Sequence, residues 1–289
     1  MSTLLTLDST GFAENFARKP VEMQHRLTSH RLLSVESIAE LAEQLPADRV
    51  EHNLADLPKV VDPGEVRQSD QPVGDIARGI ESNGCWMVLK NIELEPRYRA
   101  LLDESLDEVV PHLRGRDAEM IEREGFIFLS APGSMTPSHT DPEHNFLLQV
   151  RGTKRMSVGR FPDPETEQLA LEQALGGGHR NVGWEPKDPV SFDLGPSDGV
   201  YVPPHAPHWV ENGDQVSVSL SITFATPASL RGRQMHAINA RLRKLGLSPS
   251  APGRRPRVDQ GKLAAARALR GLRQVSRRRA RGEAPAPRA

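Results

Sequence analysis

The chain has 289 residues and a single cysteine, Cys85, which excludes a disulfide framework and favours a reducing compartment. Its length suits one large domain or two modest ones, since a domain takes about 150 residues. The longest apolar runs, such as Phe126 to Leu129, are too short to cross a bilayer. Residues 1–20 hold no sustained apolar run of the kind that a secretory signal needs. We therefore expect a cytoplasmic protein without a membrane span.

The net charge of −1 hides an uneven distribution along the chain. From Arg231 to Ala289 there are 17 Lys and Arg against two acids, so this tail carries +15 and residues 1–230 carry −16. Such asymmetry predicts an acidic partner for the tail, either nucleic acid, an anionic membrane or the acidic body itself. A solvated helix that only improves solubility would show the same charge. No aromatic residue follows Phe224, so any nucleic-acid binding would be electrostatic and salt-sensitive.

The first part of the chain is predicted to be largely helical. Apolar residues at helical spacing predict helices over residues 37–45, 73–80 and 102–113, the first beginning at Ser34 or Ser37 and the third after Pro96. Between the last two, the segment from Cys85 to Lys90 has the pattern of a buried strand. These helices would pack against whatever sheet follows.

From about Gly125 the pattern changes to short strands, predicted at residues 126–129, 146–150, 154–158, 190–194, 200–203, 208–211 and 216–224. Arg151-Gly152-Thr153 is a hairpin signal between the second and third of these. The last strand alternates strictly, with apolar residues on one face and Ser217, Ser219, Ser221 and Thr223 on the other. The polar face suits a barrel that holds a charged ligand, although a solvent-facing stripe would look the same. Many short strands separated by turns predict a barrel or jelly roll.

We expect four regions along the chain. They are an N-terminal helical and extended region at 1–82 that packs on the barrel, the barrel at 83–226, a C-terminal helix at 227–247, and a basic linker and tail helix at 248–289. A further helix at residues 165–175 interrupts the strands and ends at Gly176. The C-terminal helix has an apolar face that could pack on the barrel or join two copies, formed by Met235, Ile238, Leu242 and Leu245.

The most informative segment runs from Thr136 to Asp141. In an extended segment residues i and i+2 point to the same side, so His139 and Asp141 can bind one metal ion together. A third ligand must come from another strand, and His205 and His208 are both candidates. Two histidines and one carboxylate on one face of an octahedral ion leave three positions open. That arrangement is typical of non-haem Fe(II) oxygenases, in which a chelating cosubstrate and dioxygen take the open positions.

The run from Thr136 to Arg155 resembles the JmjC and cupin-like 2-oxoglutarate oxygenases, most closely the asparaginyl hydroxylase that inhibits the hypoxia-inducible factor. The family pattern T-P-x-H-x-D, then N-F, then Q-[IV]-[KR]-G-x-K-R, is present without a gap as Thr136-Pro137, His139, Asp141, Asn145-Phe146, Gln149-Val150-Arg151-Gly152 and Lys154-Arg155. The later Y-[IV]-P…W-H signature resembles Tyr201-Val202-Pro203 through His208. The resemblance therefore makes His208, rather than His205, the expected third ligand.

The resemblance implies roles for further residues. Lys154 would pair with the distal carboxylate of 2-oxoglutarate, Thr136 would hydrogen-bond the same carboxylate, and Asn145 would help to hold the cosubstrate. Thr223 stands where the asparaginyl hydroxylase has an Asn near the metal-bound carboxylate. The implied cofactors are Fe(II), 2-oxoglutarate and dioxygen, and the implied fold is a double-stranded β-helix of the jelly-roll class, mainly β with flanking helices. A homodimer through the C-terminal helices is also implied.

The predicted function is an oxygenase that hydroxylates a protein or peptide side chain, with a small metabolite as the alternative substrate. Demethylation of methyl-lysine ranks lower, because the chain has only two tyrosines and three tryptophans to build an aromatic cage. Two alternatives belong to other classes. One is a non-catalytic cupin-like regulator whose basic tail binds nucleic acid. The other is a cupin isomerase or epimerase, which usually has His-x-His where this chain has Asp141 in the second position.

Overall fold

The computed structural model describes residues 3–54, 71–113 and 119–267. The strands are β1 (Leu5–Thr6), β2 (Val21–His25), β3 (Val50–Leu54), β4 (Cys85–Lys90), β5 (Ile121–Ser130), β6 (Met135–His139), β7 (His144–Arg151), β8 (Lys154–Arg160), β9 (Lys187–Leu194), β10 (Asp198–Val202), β11 (His208–Asn212) and β12 (Ser217–Ala225). The helices are α1 (Ser9–Asn15), α2 (Val35–Gln44), α3 (Val73–Arg78), α4 (Pro96–Val109), α5 (Pro164–Leu175) and α6 (Pro227–Lys244), and residues 256–267 are also helical. None of the described helices is long and apolar enough to cross a bilayer.

The strands form two antiparallel sheets. The major sheet has eight strands in the order β1-β2-β10-β7-β12-β5-β4-β3, and the minor sheet has four in the order β6-β11-β8-β9. The prediction of a mainly β protein with flanking helices is confirmed. The prediction of a barrel needs correction, because no strand of one sheet pairs with a strand of the other in the described residues, and the barrel is not closed. The fold is a jelly-roll-like pair of sheets.

The predicted hairpin at Arg151-Gly152-Thr153 is wrong. Strand β7 pairs with β10 and β12 in the major sheet, whereas β8 pairs with β9 and β11 in the minor sheet. The turn therefore carries the chain from one sheet to the other. Gly152 allows this with φ of +70°, a conformation that residues with a Cβ rarely adopt. The side-chain nitrogen Nε2 of Gln149 donates to the carbonyl oxygens of Arg151 and Gly152, at 2.6 and 3.1 Å. These hydrogen bonds provide partners for two backbone carbonyl groups of the turn.

The two faces of β12 lie in different environments. Its apolar face, from Val216 to Phe224, belongs to the larger hydrophobic core together with residues of α1, α2 and α4. Its serine face is buried rather than exposed to solvent: the Ser219 hydroxyl donates to the Gln149 side chain at 2.7 Å, and the Ser221 hydroxyl donates to Asn145 at 2.8 Å. The stripe therefore lies on the inner face of the major sheet, beside the cavity described below.

Contacts divide the chain into two units: the residues up to Glu167 with His179–Ser229, and Gln168–Gly178 with the chain from Leu230 onwards. The second unit has its own polar contacts, among them Arg243 Nε to the buried carboxylate of Glu172 at 2.7 Å. On the apolar face predicted for the C-terminal helix, Met235 is buried and Leu245 is 76% exposed. Within the predicted basic linker and tail helix at 248–289, residues 256–267 are helical, and residues 268–289 lie outside the described residues.

Candidate metal centre

Two histidines of the minor sheet face each other across paired strands. His139 is the last residue of β6 and His208 the first of β11, and the two are direct partners in the antiparallel register. Their ring centroids lie 4.3 Å apart. Asp141 follows two residues after His139, and its Oδ2 lies 3.6 Å from the Nε2 of both histidines. Strand pairing thus brings together one potential ligand atom from each of the three residues, all within 4.8 Å of one another.

Backbone contacts fix the orientation of both imidazole rings. The Nδ1 atom of His139 is 2.8 Å from the Pro137 carbonyl oxygen, and that of His208 is 2.9 Å from the Ala206 carbonyl oxygen. A carbonyl oxygen can only accept, so each Nδ1 carries a hydrogen and each Nε2 is directed towards Asp141, where it could bind a metal ion. Two imidazole nitrogens and one carboxylate oxygen suit a first-row divalent metal such as Fe(II), and they occupy one side of it.

The charges within the triad differ between its members. Burial alone would lower the pKa of His139, but the Asp141 carboxylate raises it above its ordinary value. Burial would likewise raise the pKa of Asp141, but the charges of His139 and Arg180 hold it well below its usual range. Burial and the neighbouring His139 lower the pKa of His208 to about 4. The site therefore offers an ionised carboxylate and a neutral His208 to a cation at neutral pH.

His205, the other sequence candidate, does not join this cluster. It lies in the turn before β11 with φ of +67°, and its backbone nitrogen donates to the Asp141 carbonyl oxygen at 2.6 Å. This hydrogen bond fixes the backbone of Asp141. The potential metal ligands remain His139, Asp141 and His208.

The triad opens into a cavity of about 270 Å³ between the two sheets. The four residues expected to hold the cosubstrate all line it, namely Thr136, Asn145, Lys154 and Thr223. The Asn145 side-chain oxygen accepts from Ser221, and the Thr223 hydroxyl is 3.5 Å from the Glu124 carbonyl oxygen, the outer limit of a hydrogen bond. The structure thus places every sequence-predicted site residue around one cavity.

Among the four residues predicted to hold the cosubstrate, Lys154 has the most unusual environment. It is 5% exposed, and burial lowers the pKa of its ammonium to about 7. It forms no ion pair with any other described residue. A buried cation without a partner is costly unless a ligand supplies the negative charge. On the paired strands β8 and β11, Lys154 is opposite Asn212 and His208 is opposite Val158, so the buried cation and the metal-donor cluster occupy separate parts of the cavity.

Sequence reasoning missed one wall of the cavity and one charged residue at its edge. The wall consists of Glu51 and Asn53 on β3 and of Trp86, Val88 and Lys90 on β4, and the charged residue is Arg180. The Lys90 ammonium pairs with the Glu51 carboxylate, and the buried Trp86 indole nitrogen has no hydrogen-bond partner among the described residues. Strand β3 has only five residues and weak alternation, so its pattern gave no usable signal.

His144 is the first residue of β7 and is buried. Its ring is stacked between Phe16 and Phe224, with centroid distances of 4.7 and 4.9 Å, and its Nδ1 lies 2.8 Å from the Tyr201 hydroxyl. Burial lowers its pKa to about 3, so the ring is neutral. The stack thus connects Phe16, which directly follows α1, to β7, the strand that contains Asn145.

Comparison with known proteins agrees with this geometry. Residues 109–231 match the family model described as a JmjC domain, and that range includes the triad and the four residues that the sequence predicted to hold the cosubstrate. Among curated proteins, no sequence matches the chain significantly.

Solved structures of YcfD from Escherichia coli share the fold. One matches with a TM-score of 0.52 and 20% identity over 89% of this chain and 63% of its own. A second, described as a ribosomal oxygenase in complex with cobalt and 2-oxoglutarate, matches with a TM-score of 0.50 and 19% identity over 88% of this chain and 62% of its own. The chain thus spans about three fifths of the length of these two structures.

Proposed function

We propose that this chain, with its JmjC-matching segment, is an Fe(II)- and 2-oxoglutarate-dependent oxygenase that hydroxylates a protein or peptide side chain. The observation that carries the proposal is that the oriented donors His139, Asp141 and His208 share one cavity with the buried ammonium of Lys154, which has no ion pair in the part of the chain that the structure describes. A dicarboxylate could chelate the metal ion through one end and pair with the Lys154 ammonium through its other carboxylate. The 2-oxoglutarate complex of the YcfD structure, which has the same fold, supports this choice of cosubstrate.

Each residue has a distinct task in this proposal. The triad would hold Fe(II), which supplies the oxidative chemistry when it is bound with 2-oxoglutarate and dioxygen. Lys154 would give its charge to the distal carboxylate of 2-oxoglutarate, with Thr136 as a second donor. Asn145, held by Ser221, would orient the cosubstrate, and Thr223 would lie beside it. Residues 83–226 would form the catalytic region, and the cavity walls would exclude water from it.

The geometry favours an oxygenase over the other two classes. A purely structural cupin-like regulator has no need for three oriented metal donors and a buried cation in one cavity. An isomerase or epimerase would not need a second anion site at a distance from the metal. We also propose an acidic partner for the basic tail, either nucleic acid or another acidic surface; residues 268–289 of this tail lie outside the described residues.

A protein side chain is the substrate class that we favour. The description of YcfD as a ribosomal oxygenase and the motif likeness to the asparaginyl hydroxylase both support it. The wall formed by β3 and β4 gives the cavity a polar and aromatic side with Glu51 and Trp86, where a projecting side chain could lie. A small metabolite is the alternative occupant of this position.

Anaerobic spectroscopy tests the cofactor assignment. Fe(II) and then 2-oxoglutarate are added to the purified protein, and the visible charge-transfer absorption is recorded for the wild type, His139→Ala and the control His179→Ala, whose ring is exposed. We expect a band that needs both additions and is absent only in His139→Ala. Bound metal without any such band would contradict the oxygenase assignment and favour a regulator.

Mass spectrometry then tests the substrate class. The iron-loaded protein is incubated with 2-oxoglutarate and either a ribosomal protein fraction or a metabolite extract, with Lys154→Met as the inactive control. We expect the gain of one oxygen atom on a peptide together with succinate formation. Oxygen gain only in a metabolite would assign the small-molecule alternative.

A further inference from the structure

Arg180 makes a short contact with the metal-ligand carboxylate. Its Nη1 lies 2.6 Å from Oδ1 of Asp141, whereas Oδ2 is the oxygen that faces His139 and His208 at 3.6 Å. The two carboxylate oxygens are thus divided between the guanidinium and the metal position. Arg180 also lines the cavity, and its side chain is 55% exposed.

The backbone around Arg180 is fixed to the strand that carries the site. The Thr140 nitrogen donates to the Arg180 carbonyl oxygen at 3.1 Å, and the Val182 nitrogen donates to the Ser138 carbonyl oxygen at 3.0 Å. Between these two hydrogen bonds, Asn181 forms a β-bridge with His139. The segment therefore runs alongside β6 as an added edge. Its position relative to Asp141 is set by backbone pairing and does not depend on the ion pair alone.

We propose that Arg180 is a positioning residue that holds Asp141 in a single-oxygen binding mode. With Oδ1 occupied by the guanidinium, only Oδ2 can bind the metal. A carboxylate that binds through both oxygens would take one of the three positions that a chelating cosubstrate and dioxygen require. The 2.6 Å distance between Arg180 and Asp141 is that of a charge-assisted hydrogen bond, which is short and directional. This inference rests on the proposed function.

If Arg180 only supported the fold, its loss would weaken metal binding and 2-oxoglutarate binding together. The proposal predicts that these two affinities change by different amounts. In Arg180→Met the carboxylate is free to rotate and bind through both oxygens, so 2-oxoglutarate should bind at least about tenfold more weakly to the metal-loaded protein, a larger loss than that in metal affinity. Arg180→Lys keeps a charge that can hold one oxygen and should recover most of the cosubstrate affinity.

Calorimetric titration with Co(II), and then with 2-oxoglutarate on the Co(II)-loaded protein, measures both affinities. Arg160→Met is the control, because Arg160 forms an exposed ion pair with Asp188 and does not line the cavity. Its two affinities should equal those of the wild type. Circular dichroism checks that each variant is folded.

Three outcomes would overturn the proposal. Wild-type affinities in Arg180→Met would make Arg180 a surface ion pair only. Loss of metal affinity with unchanged cosubstrate affinity would mean that Arg180 supports ligation and not the binding mode. Failure of Arg180→Lys to recover affinity would show that a charge at Oδ1 is not sufficient. If the wild-type protein itself takes up no 2-oxoglutarate when metal-loaded, the proposed function fails instead.

Discussion

At the scale of single residues, the environment decides which groups are charged. Lys154 and His208 are both buried in the same cavity region, and burial lowers the pKa of each, to about 7 and about 4 respectively. Asp141 stays ionised because cationic groups surround it. Composition and residue type did not predict these charge states, because the pKa of a side chain depends on its burial and on the charges around it.

The pKa of Lys154 predicts a pH dependence of cosubstrate binding. A dianion binds the charged ammonium and raises its pKa, so one proton is taken up when binding occurs above pH 7. Affinity should be nearly constant below about pH 7 and fall by up to about tenfold per pH unit above it. Titration calorimetry at pH 8 in buffers of different ionisation enthalpy measures the proton uptake directly.

Two variants identify Lys154 as the origin of that proton. Lys154→Met should bind 2-oxoglutarate more weakly and without proton uptake. Lys187→Met removes an exposed lysine of β9 and should behave like the wild type. An affinity for 2-oxoglutarate that is the same at about pH 6.5 and 8.5 in the wild type would contradict the assignment.

At the scale of elements, local pattern predicted most of the helices and the strands from β7 onwards but missed α1 and the short strands β1, β2, β3 and β6, and it did not predict strand partners. Alternation in β12 and the apolar run in β4 gave both elements within a residue or two of their observed bounds. The turn at Gly152 was misread, because a short Gly-containing connection looks the same whether the strands pair or separate into two sheets. Partner choice depends on the burial of both faces of each strand, which no short window contains.

Gly152→Ala should be strongly destabilising. A Cβ at this position would lie 2.3 Å from the Val216 carbonyl oxygen, and the φ of +70° is itself unfavourable for alanine. Gly133→Ala is a matched control, since Gly133 has φ of +71° and open space around it. We expect a loss of about 1 kcal/mol in the unfolding free energy for Gly133→Ala and of about 3 kcal/mol for Gly152→Ala. Urea denaturation measures both, and equal losses would exclude the clash.

At the scale of the whole chain, the N-terminal segment completes the first unit. Strands β1 and β2 extend the major sheet beside β10, and α1 brings Phe12 against Phe146 and Tyr201 with centroid distances of 5.9 and 5.2 Å. The same aromatic group encloses His144, next to Asn145. The major sheet that lines the cavity opposite the triad thus depends on residues far away in sequence.

Phe12→Ala should therefore destabilise the protein by about 3–5 kcal/mol, as expected for a buried aromatic side chain replaced by alanine. Phe12 is 1% exposed, whereas Leu94 is 57% exposed, so Leu94→Ala is the control with an expected change below about 0.5 kcal/mol. Thermal and urea unfolding measure the difference. A loss of less than about 1 kcal/mol for Phe12→Ala would show that α1 contributes little to the core.

Metal binding should also stabilise the folded state. The triad comes together only when β6 and β11 pair, so Co(II) binds the folded chain in preference to the unfolded one. At a free Co(II) concentration of about 100 times its dissociation constant the gain is about 2.7 kcal/mol. A chelator should reverse the rise in melting temperature, and His139→Ala should show no rise. An equal rise in His139→Ala would place the metal elsewhere.

The sequence by itself determined the features that depend on near neighbours. The i, i+2 spacing put His139 and Asp141 on one side of a strand, and periodicity predicted a β-rich fold with flanking helices, because both follow from the geometry of a single extended or helical segment. Only the tertiary structure decided the features that join distant segments. These are the register that sets His208 opposite His139, the contact of Arg180 with Asp141, the wall formed by β3 and β4, and the division of β7 and β8 between two sheets. Such pairings are fixed by the simultaneous burial of many strands, and that information is spread over the whole chain.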